Sequence, residues 1–512
     1  MAQYLSPGVY VEEKPSGEKP IEGVGTSTGA FVGIAEKGPI GKAEQIANWT
    51  QFVNKFGGYI ADGYLAYAVN QFFAEGGTRC FVVRTCHYTD ITDAATKTSV
   101  PSSATLLDSD GNPSMRVQAS SDGTWGNYAA DPKAGISIEV KAAKELAGGF
   151  QLIVKIKGVE EEIFDNLTIA NVEDEINEKS AHIIVEKDSW DSVTGSGNIP
   201  AVTASVPLAG GSDGLTGIGG TDFLGDESSK TGLHAFDVVD DINIVIMPDR
   251  AGDRDAIIGG LTYCQNRKDC FFVADPPKGL DPTTVEGFKK GTVAPYTGNA
   301  FNSSYGALYY PWVIINDPRT GGKRYMPPSG AVAGTYAHTD SVRGVHKAPA
   351  GIIEGYLDSV SGIERIITKS EHDGLNPIGI NVIRSFPTSG ICIWGTRTLS
   401  ADPEWKYLNI RRLFLFLEES IDKGTQWVVF EPNSPALWGS VRRNITAFLL
   451  RVWRDGALFG STPEEAFFVK VDEENNPPEV RNAGQLIIDV GVAPVRPAEF
   501  VIIRISQKTL SK

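Results

Sequence analysis

Five short apolar runs constrain this chain more than anything else in it. Gly29–Ala35, Cys80–Arg84, Ile242–Met247, Cys270–Asp275 and Ala307–Ile315 each read as a buried strand. Helical spacing separates them. Asn48 to Gly57 suggests a short helix, with Gly57 suited to a left-handed cap. Tyr64 to Glu75 places Leu65, Ala68, Val69, Phe72 and Phe73 on one face, and Ala256 to Cys264 repeats the pattern. Strands that alternate with helices predict a mainly parallel sheet.

The alternation is interrupted. From residue 91 to about 207, Ser, Thr, Asp and Gly rise, and short strands such as Ile136–Val140 and Gln151–Ile156 are divided by turns. This predicts an inserted β-rich domain, from which Leu208–Gly214 returns the chain to the body. Charge changes with it. Residues 101–213 hold 18 acidic residues against 8 basic, whereas residues 379–512 hold 15 against 16. The middle therefore reads as a solvated outer surface, and the end as a part able to approach other chains. The net charge of −16 argues against nucleic-acid binding, which rests on clustered Lys and Arg, and against an anionic membrane surface.

The last third carries two strong helical patterns, Leu408–Ile421 and Leu437–Trp453. The second sets Leu437, Trp438, Val441, Ile445, Phe448, Leu449 and Val452 on one apolar face. Its Arg442, Arg443, Arg451 and Arg454, with Glu418, Glu419, Asp422 and Lys423 ending the first, are solvated charges on a lone globule. In a lattice they are candidate contacts that set orientation and pairing.

Both termini read alike. Val9, Tyr10, Val11 and Glu12 form a short strand between Pro7-Gly8 and Pro15–Pro20. Phe500, Val501, Ile502, Ile503, Arg504 and Ile505 form another, with Gly491–Pro497 as its hinge. Pro-containing linkers are extended spacers, and a strand on such a spacer can add to a neighbour's sheet. Strands donated without closing symmetry build an open filament or helical lattice.

Signals for catalysis are weak. Gly25-Thr26-Ser27-Thr28-Gly29 matches a nucleophile-elbow pattern, but a strand follows Ser27 where the elbow needs a helix. Cys80 and Cys86, like Cys264 and Cys270, are too widely spaced for a zinc pair and fit buried thiols, with Cys392 the fifth. Gly217–Leu224 reads as a turn-rich loop, and no phosphate-binding GxxxxGK[ST] loop occurs. Asp249, Arg250, Asp253, Arg254 and Asp255 follow a strand, where α/β enzymes often place their sites; they also suit a helix start. No cofactor or metal is expected. The amino terminus lacks a basic region followed by an apolar run, and no apolar run approaches the roughly 20 residues that span a bilayer. A soluble chain outside the general secretory route is expected.

Several blocks carry a resemblance. They are Ser6–Glu13, Arg343–Gly351, Gly379–Arg384, Ile393–Leu399, Asn409–Leu413, Trp453–Leu458, Thr462–Lys470 and Gly491–Phe500. In this order they resemble the tail-sheath protein family of contractile phages and related injection particles, over roughly residues 1–90 and 205–512. His346 stands where the usual form of its block has Trp.

The resemblance implies a subunit of stacked six-fold rings that polymerises helically around an inner tube, between a baseplate and a terminator. It implies assembly in a metastable extended state whose contraction drives the tube through a target envelope. It also implies interlocking of neighbours by terminal strands. The expected fold is an α/β (α+β) multidomain protein with a mixed-sheet body, a β-rich outer insertion and two arms. The expected boundaries are an arm at 1–20, the body at 21–90 and 208–345, and the insertion at 91–207. A C-terminal inner domain at 346–490 and an arm at 491–512 complete them. Assembly in the cytoplasm into a virion or tail-like particle is expected, with neither nucleic acid nor membrane insertion. The alternatives are an α/β enzyme with a β-rich insertion, and a non-contractile tube or adhesin subunit.

Overall fold

The computed structural model describes residues 20–128, 135–186, 199–502 and 504. It is a mixed α/β structure with several sheets, and it divides into two compact units. One is Gly25–Arg411; the other joins the residues up to Val24 with those from Arg412 onward.

The larger unit is built on an eight-stranded sheet. Its strands are β1 (Gly29–Gly33), β2 (Ala43–Ile46), β3 (Cys80–Arg84), β4 (Ile244–Ile246), β5 (Phe271–Ala274), β6 (Gly306–Tyr310), β7 (Ile380–Phe386) and β8 (Gly390–Ile393). The order is β2-β3-β1-β4-β5-β6-β7-β8. The six strands from β3 to β7 run parallel, and β2 and β8 add antiparallel edges. Burial on both faces explains the unbroken apolar runs of the parallel strands; β1, β4, β5 and β6 are buried at every position.

Helices α1 (Trp49–Phe56), α2 (Leu65–Ala74), α3 (Arg254–Arg267) and α4 (Ser329–Arg343) belong to this unit. Asn48 caps α1, accepting from the Gln51 N–H at 2.9 Å, and Gly57 ends it at φ 84°. Helix α4 has no apolar stripe, because it is buried nearly all round, from Ser329 to Ala337. Its Gly330 and Gly334 lie against α2. A Cβ at Gly330 would stand 2.6 Å from Ala68 Cα, and one at Gly334 2.6 Å from the Phe72 carbonyl oxygen. Only glycine lets the two backbones approach so closely.

Within residues 103–207, two antiparallel sheets share one core. Ser103–Leu107, Pro113–Ala119 and Ile183–Glu186 form the first; Thr203–Pro207, Ile136–Ala142, Phe150–Ile156 and Val159–Leu167 form the second. Leu106, Val117, Ile138, Leu152 and Ile176 are among the residues of that core. Arg84, at the end of β3, is 1% exposed and ties these strands to the large sheet. Its guanidinium donates to the carbonyls of Gly38 (2.9 Å) and Asp122 (2.7 Å) and lies 3.4 Å from the Asp213 carboxylate.

The structure departs from the sequence expectations in several places. Ala307–Ile315 is not one strand: β6 ends at Tyr310, and Val313–Asn316 belongs to a separate three-stranded sheet. Pro311 lies at the break and has no N–H to continue a ladder. Residues 346–490 do not stay together. β7 and β8 join the large sheet through the pairing of β6 with β7, which starts at Leu308↔Ile380. Residues up to Val24, expected to open the body, belong to the second unit. The arm strand Val9–Glu12 lies outside the described residues.

Candidate functional site

The second unit carries nearly every residue that the sequence marks for assembly. Its two long helices are α5 (Leu408–Thr425), which enters the unit at Arg412, and α6 (Pro435–Arg454). Ser434 caps α6, Pro435 fills its first turn, and the Trp438 indole donates to Asn433 Oδ1 at 2.7 Å. Leu413, Leu415 and Leu417 of α5 are buried, as are Trp438, Val441, Ile445, Phe448, Leu449 and Val452 of α6. Phe416 and Phe448 join the helices, with ring centroids 5.9 Å apart.

Helix α6 has four arginines and no acidic residue. Arg442, Arg443, Arg451 and Arg454 are all exposed, and Arg451 and Arg454 in the last turn favour the negative end of the helix dipole. Arg443 donates to Ser440 Oγ at 3.0 Å. The charges ending α5 differ. Glu419 and Lys423 pair at 2.6 Å, four residues apart with the acid first, the favourable order on a helix. Glu418 and Asp422 are exposed.

Arg451 also has an internal role: its guanidinium donates to the Ile21 carbonyl. Ile21 is fully buried, and the next N–H but two, that of Val24, donates to Ser420 Oγ at 3.1 Å. A Cβ on Gly424 would stand 2.7 Å from Ile21, so Gly424 leaves room for it. The segment that follows the amino-terminal arm is thus fixed on α5 and α6. Sequence reasoning missed this anchor, because no local pattern links residues 430 positions apart.

The carboxyl-terminal root is held in the same unit. Strands β9 (Phe467–Lys470) and β10 (Asp489–Val492) form a two-stranded antiparallel sheet in register Phe467↔Val492. The expected hinge at Gly491–Pro497 is therefore partly strand. The Ala493 N–H donates to Ala466 O at 2.8 Å, the Ala493 carbonyl accepts from Phe459 N–H at 2.7 Å, and Val495 N–H donates to Ala457 O at 3.1 Å. These bonds outweigh the turn tendency of Gly491 and Pro494. The connection between the strands is closed by fully buried Asn476. Its amide accepts from Ile487 N–H at 2.7 Å and donates to Ile487 O at 2.9 Å, as a neighbouring strand would. At the end of β9, the Glu474 carboxylate, 2.6 Å away, holds the Lys470 ammonium above its ordinary value.

Beyond Pro497 the ladder stops. Phe500, Val501 and Ile502 form no strand and are 70%, 80% and 78% exposed. Arg504 is exposed; Ile503 and Ile505 lie outside the described residues. The expected strand at Phe500–Ile505 is absent from its described part, because a lone segment has no ladder to complete. Phe459, Phe468 and the fully exposed Phe430 add further apolar surface to this unit.

The charges near Asp249 have structural partners. Asp249 is half-buried and accepts from the N–H groups of Ile34 and Tyr64; desolvation pushes its carboxyl up to about 6. Asp253 caps α3, and Arg254 donates to the carbonyls of Phe288 and Asn299. Among the described residues, no group of three or more His, Cys, Asp or Glu side chains gathers as a metal site. All five cysteines are buried and free. No helix of the described residues is long and apolar enough to cross a membrane.

Comparisons with known proteins agree on one family. Residues 225–399 match the phage tail sheath protein central domain, and residues 400–508 the phage tail sheath C-terminal domain. The tail sheath protein of Vibrio phage KVP40 is 24% identical over 350 residues, covering 64% of this chain and 48% of that protein. That of Burkholderia phage BcepMu is 31% identical over 192 residues, covering 36% of this chain and 38% of that protein. The chain thus spans about half or less of the length of these relatives. In fold it is similar to the sheath of an extracellular contractile injection system, PVC, in the contracted state. That match has a TM-score of 0.59 at 22% identity and covers 99% of both chains. The sheath tail protein of Listeria innocua matches with a TM-score of 0.62 at 13% identity, over 94% of both chains.

Proposed function

Because the chain belongs to the phage tail sheath family, we propose that it is the structural subunit of a contractile sheath. In this reading it polymerises helically around an inner tube and contracts from a metastable extended state to drive the tube through a target envelope. Copies of itself, the tube protein, and baseplate and terminator proteins are its partners. It assembles in the cytoplasm into a virion or tail-like particle.

One observation carries the reading furthest. Among the described residues the β9–β10 sheet has two strands, and farther along the chain Phe500–Ile502 hold three large apolar side chains in solvent. A two-stranded sheet is marginal alone, and open edges are hazardous unless they are meant to pair. Strands donated by neighbouring copies would complete it, each bond adding on the order of 1 kcal/mol net. The acid-free face of α6 supports a second contact, with an acidic partner surface such as the tube or the next copy. Contraction then exchanges one packing of linked bodies for a lower one across a barrier, so the extended state is kinetically stable.

Negative-stain microscopy of the expressed chain tests this reading. Tubes of sheath-like width are expected, and removal of Phe500–Lys512 should leave soluble, unpolymerised protein. Unchanged polymers after the truncation would remove the interlocking role. A discrete small oligomer at every concentration would favour a globular enzyme instead.

A further inference from the structure

A second feature lies in the larger unit. A cavity of about 430 Å³ opens where the Lys37–Lys42 loop, α1 and the inserted strands meet. Four lysines line it: Lys37, Lys42, Lys55 and Lys97. This concentration of positive charge stands out in a chain of net charge −16.

Two of the four are neutralised. Lys55 pairs with Glu44, and Lys97 with Asp122, whose carboxylate also accepts from Ser99 Oγ at 2.6 Å. The other two are not. Among the described residues, neither Lys37 nor Lys42 has a carboxylate within ion-pair distance. Lys37 is half-buried, its ammonium 5.5 Å from the centre of the Trp125 ring. The adjacent acid, Glu36, is engaged with the Gly58 N–H at 2.7 Å. Burial holds the Lys37 ammonium below its ordinary value despite the pull of Glu36.

Buried Arg84 bonds the carbonyls of two residues that line the cavity, Gly38 and Asp122. These bonds fix that part of the cavity wall, and the guanidinium's own charge meets the Asp213 carboxylate at 3.4 Å. A partly desolvated lysine without a counter-ion is costly. Half-buried Lys37 lacks one and shares the cavity with exposed Lys42, so the pair is arranged to receive an anion.

We propose that this cavity binds a compact polyvalent oxyanion of the phosphate type, held by Lys37 and Lys42. The anion sits where the Lys37–Lys42 loop faces Ser120 and Ser121 of the inserted domain, at the junction that Arg84 fixes. Its effect is to stiffen the insertion against the body. The proposal is independent of the assembly reading, since none of these residues belongs to the arm-bearing unit.

Isothermal titration of the full-length chain with inorganic pyrophosphate at low salt tests it. One saturable site is expected, weakening steeply with salt. Lys42→Met, at an exposed position, should lower affinity at least tenfold without moving the melting temperature. Lys37→Met should do the same and abolish the response of Trp125 fluorescence, assigned by comparison with Trp125→Phe. Lys323→Met, at an exposed strand position elsewhere, should change nothing. No saturable heat at millimolar pyrophosphate would overturn the proposal, as would affinity unchanged by both variants. Loss of polymers in Lys42→Met with no pyrophosphate binding would also overturn it, placing a neighbouring chain's carboxylates on these lysines.

Discussion

Arg451, in the last turn of α6, holds the backbone carbonyl of Ile21, a residue 430 positions earlier in the chain. Together with the Val24–Ser420 bond, it makes the amino-terminal segment part of the carboxyl-terminal unit. Arg451→Met removes the donor and leaves a buried residue's carbonyl unpaired. A cost of about 1–3 kcal/mol is expected. Hydrogen exchange should quicken at Glu22–Val24 while the strands of the large sheet keep their protection. Uniform quickening across both units would show that the contact is not local.

Arg442 and Arg443 are exposed and form no part of the packed face of α6. The double variant Arg442→Glu/Arg443→Glu should leave stability within about 0.5 kcal/mol per site. Polymers, scored by sedimentation and microscopy, should be lost or need higher salt to form. Normal polymers with unaltered salt dependence would show that this face is merely solvated.

Asp275 is fully buried at the end of β5 and accepts from the Ser329 N–H that opens α4, at 2.9 Å. Burial pushes its carboxyl up to about 7, and that of Asp249 up to about 6, both from 3.8. The folded state thus keeps protons that the unfolded chain releases. The stabilising contribution is complete below about pH 4 and is lost as pH rises through 6 and 7. The urea midpoint should therefore fall from pH 5 to pH 8. Asp275→Asn keeps an acceptor for Ser329 and cannot ionise, so it should flatten that slope and raise the midpoint at pH 8. An equal slope in both proteins would sink the assignment.

Gly334 lies where α4 meets the backbone of α2. Gly334→Leu drives a side chain into the Phe72 carbonyl and Glu75, and neither helix can yield without opening the core. A loss of about 3 kcal/mol is expected, at the upper end of overpacking costs. It should appear as a lower melting temperature, whereas Gly374→Leu, at an exposed position with no atom near its Cβ and no left-handed backbone, should cost less. Equal losses would mean that the close approach is unimportant.

What the sequence disclosed, and what it hid, follows from the range of each interaction. β1, β3, β4 and β5 were legible because burial on both faces leaves apolar runs. α6 was legible because one face is packed and the other solvated. α4 left no such trace: it is buried all round and built of small residues. Pro311 marked a break inside an apolar run that otherwise read as one strand. Gly491–Pro497 looked like a hinge because its Gly and Pro residues suggest a turn, yet its first two residues close a strand for which Phe467–Lys470 supplies the ladder. The charged residues of the candidate surface were marked by type and spacing. The anchoring of Ile21 was not, because it depends on contacts that only the folded chain brings together. The lysine cavity escaped for the same reason, since its residues come from five separate stretches.

The placement of both arm roots in one unit has a mechanical consequence. If the arms join neighbouring copies, a pull along the lattice enters a chain near Ile21 and leaves near Val495. Both points are anchored on the body of α5, α6 and the β9–β10 sheet. The eight-stranded sheet and its insertion are then outside the line of tension. They are free to change sequence, or to carry added segments, without weakening the links from copy to copy.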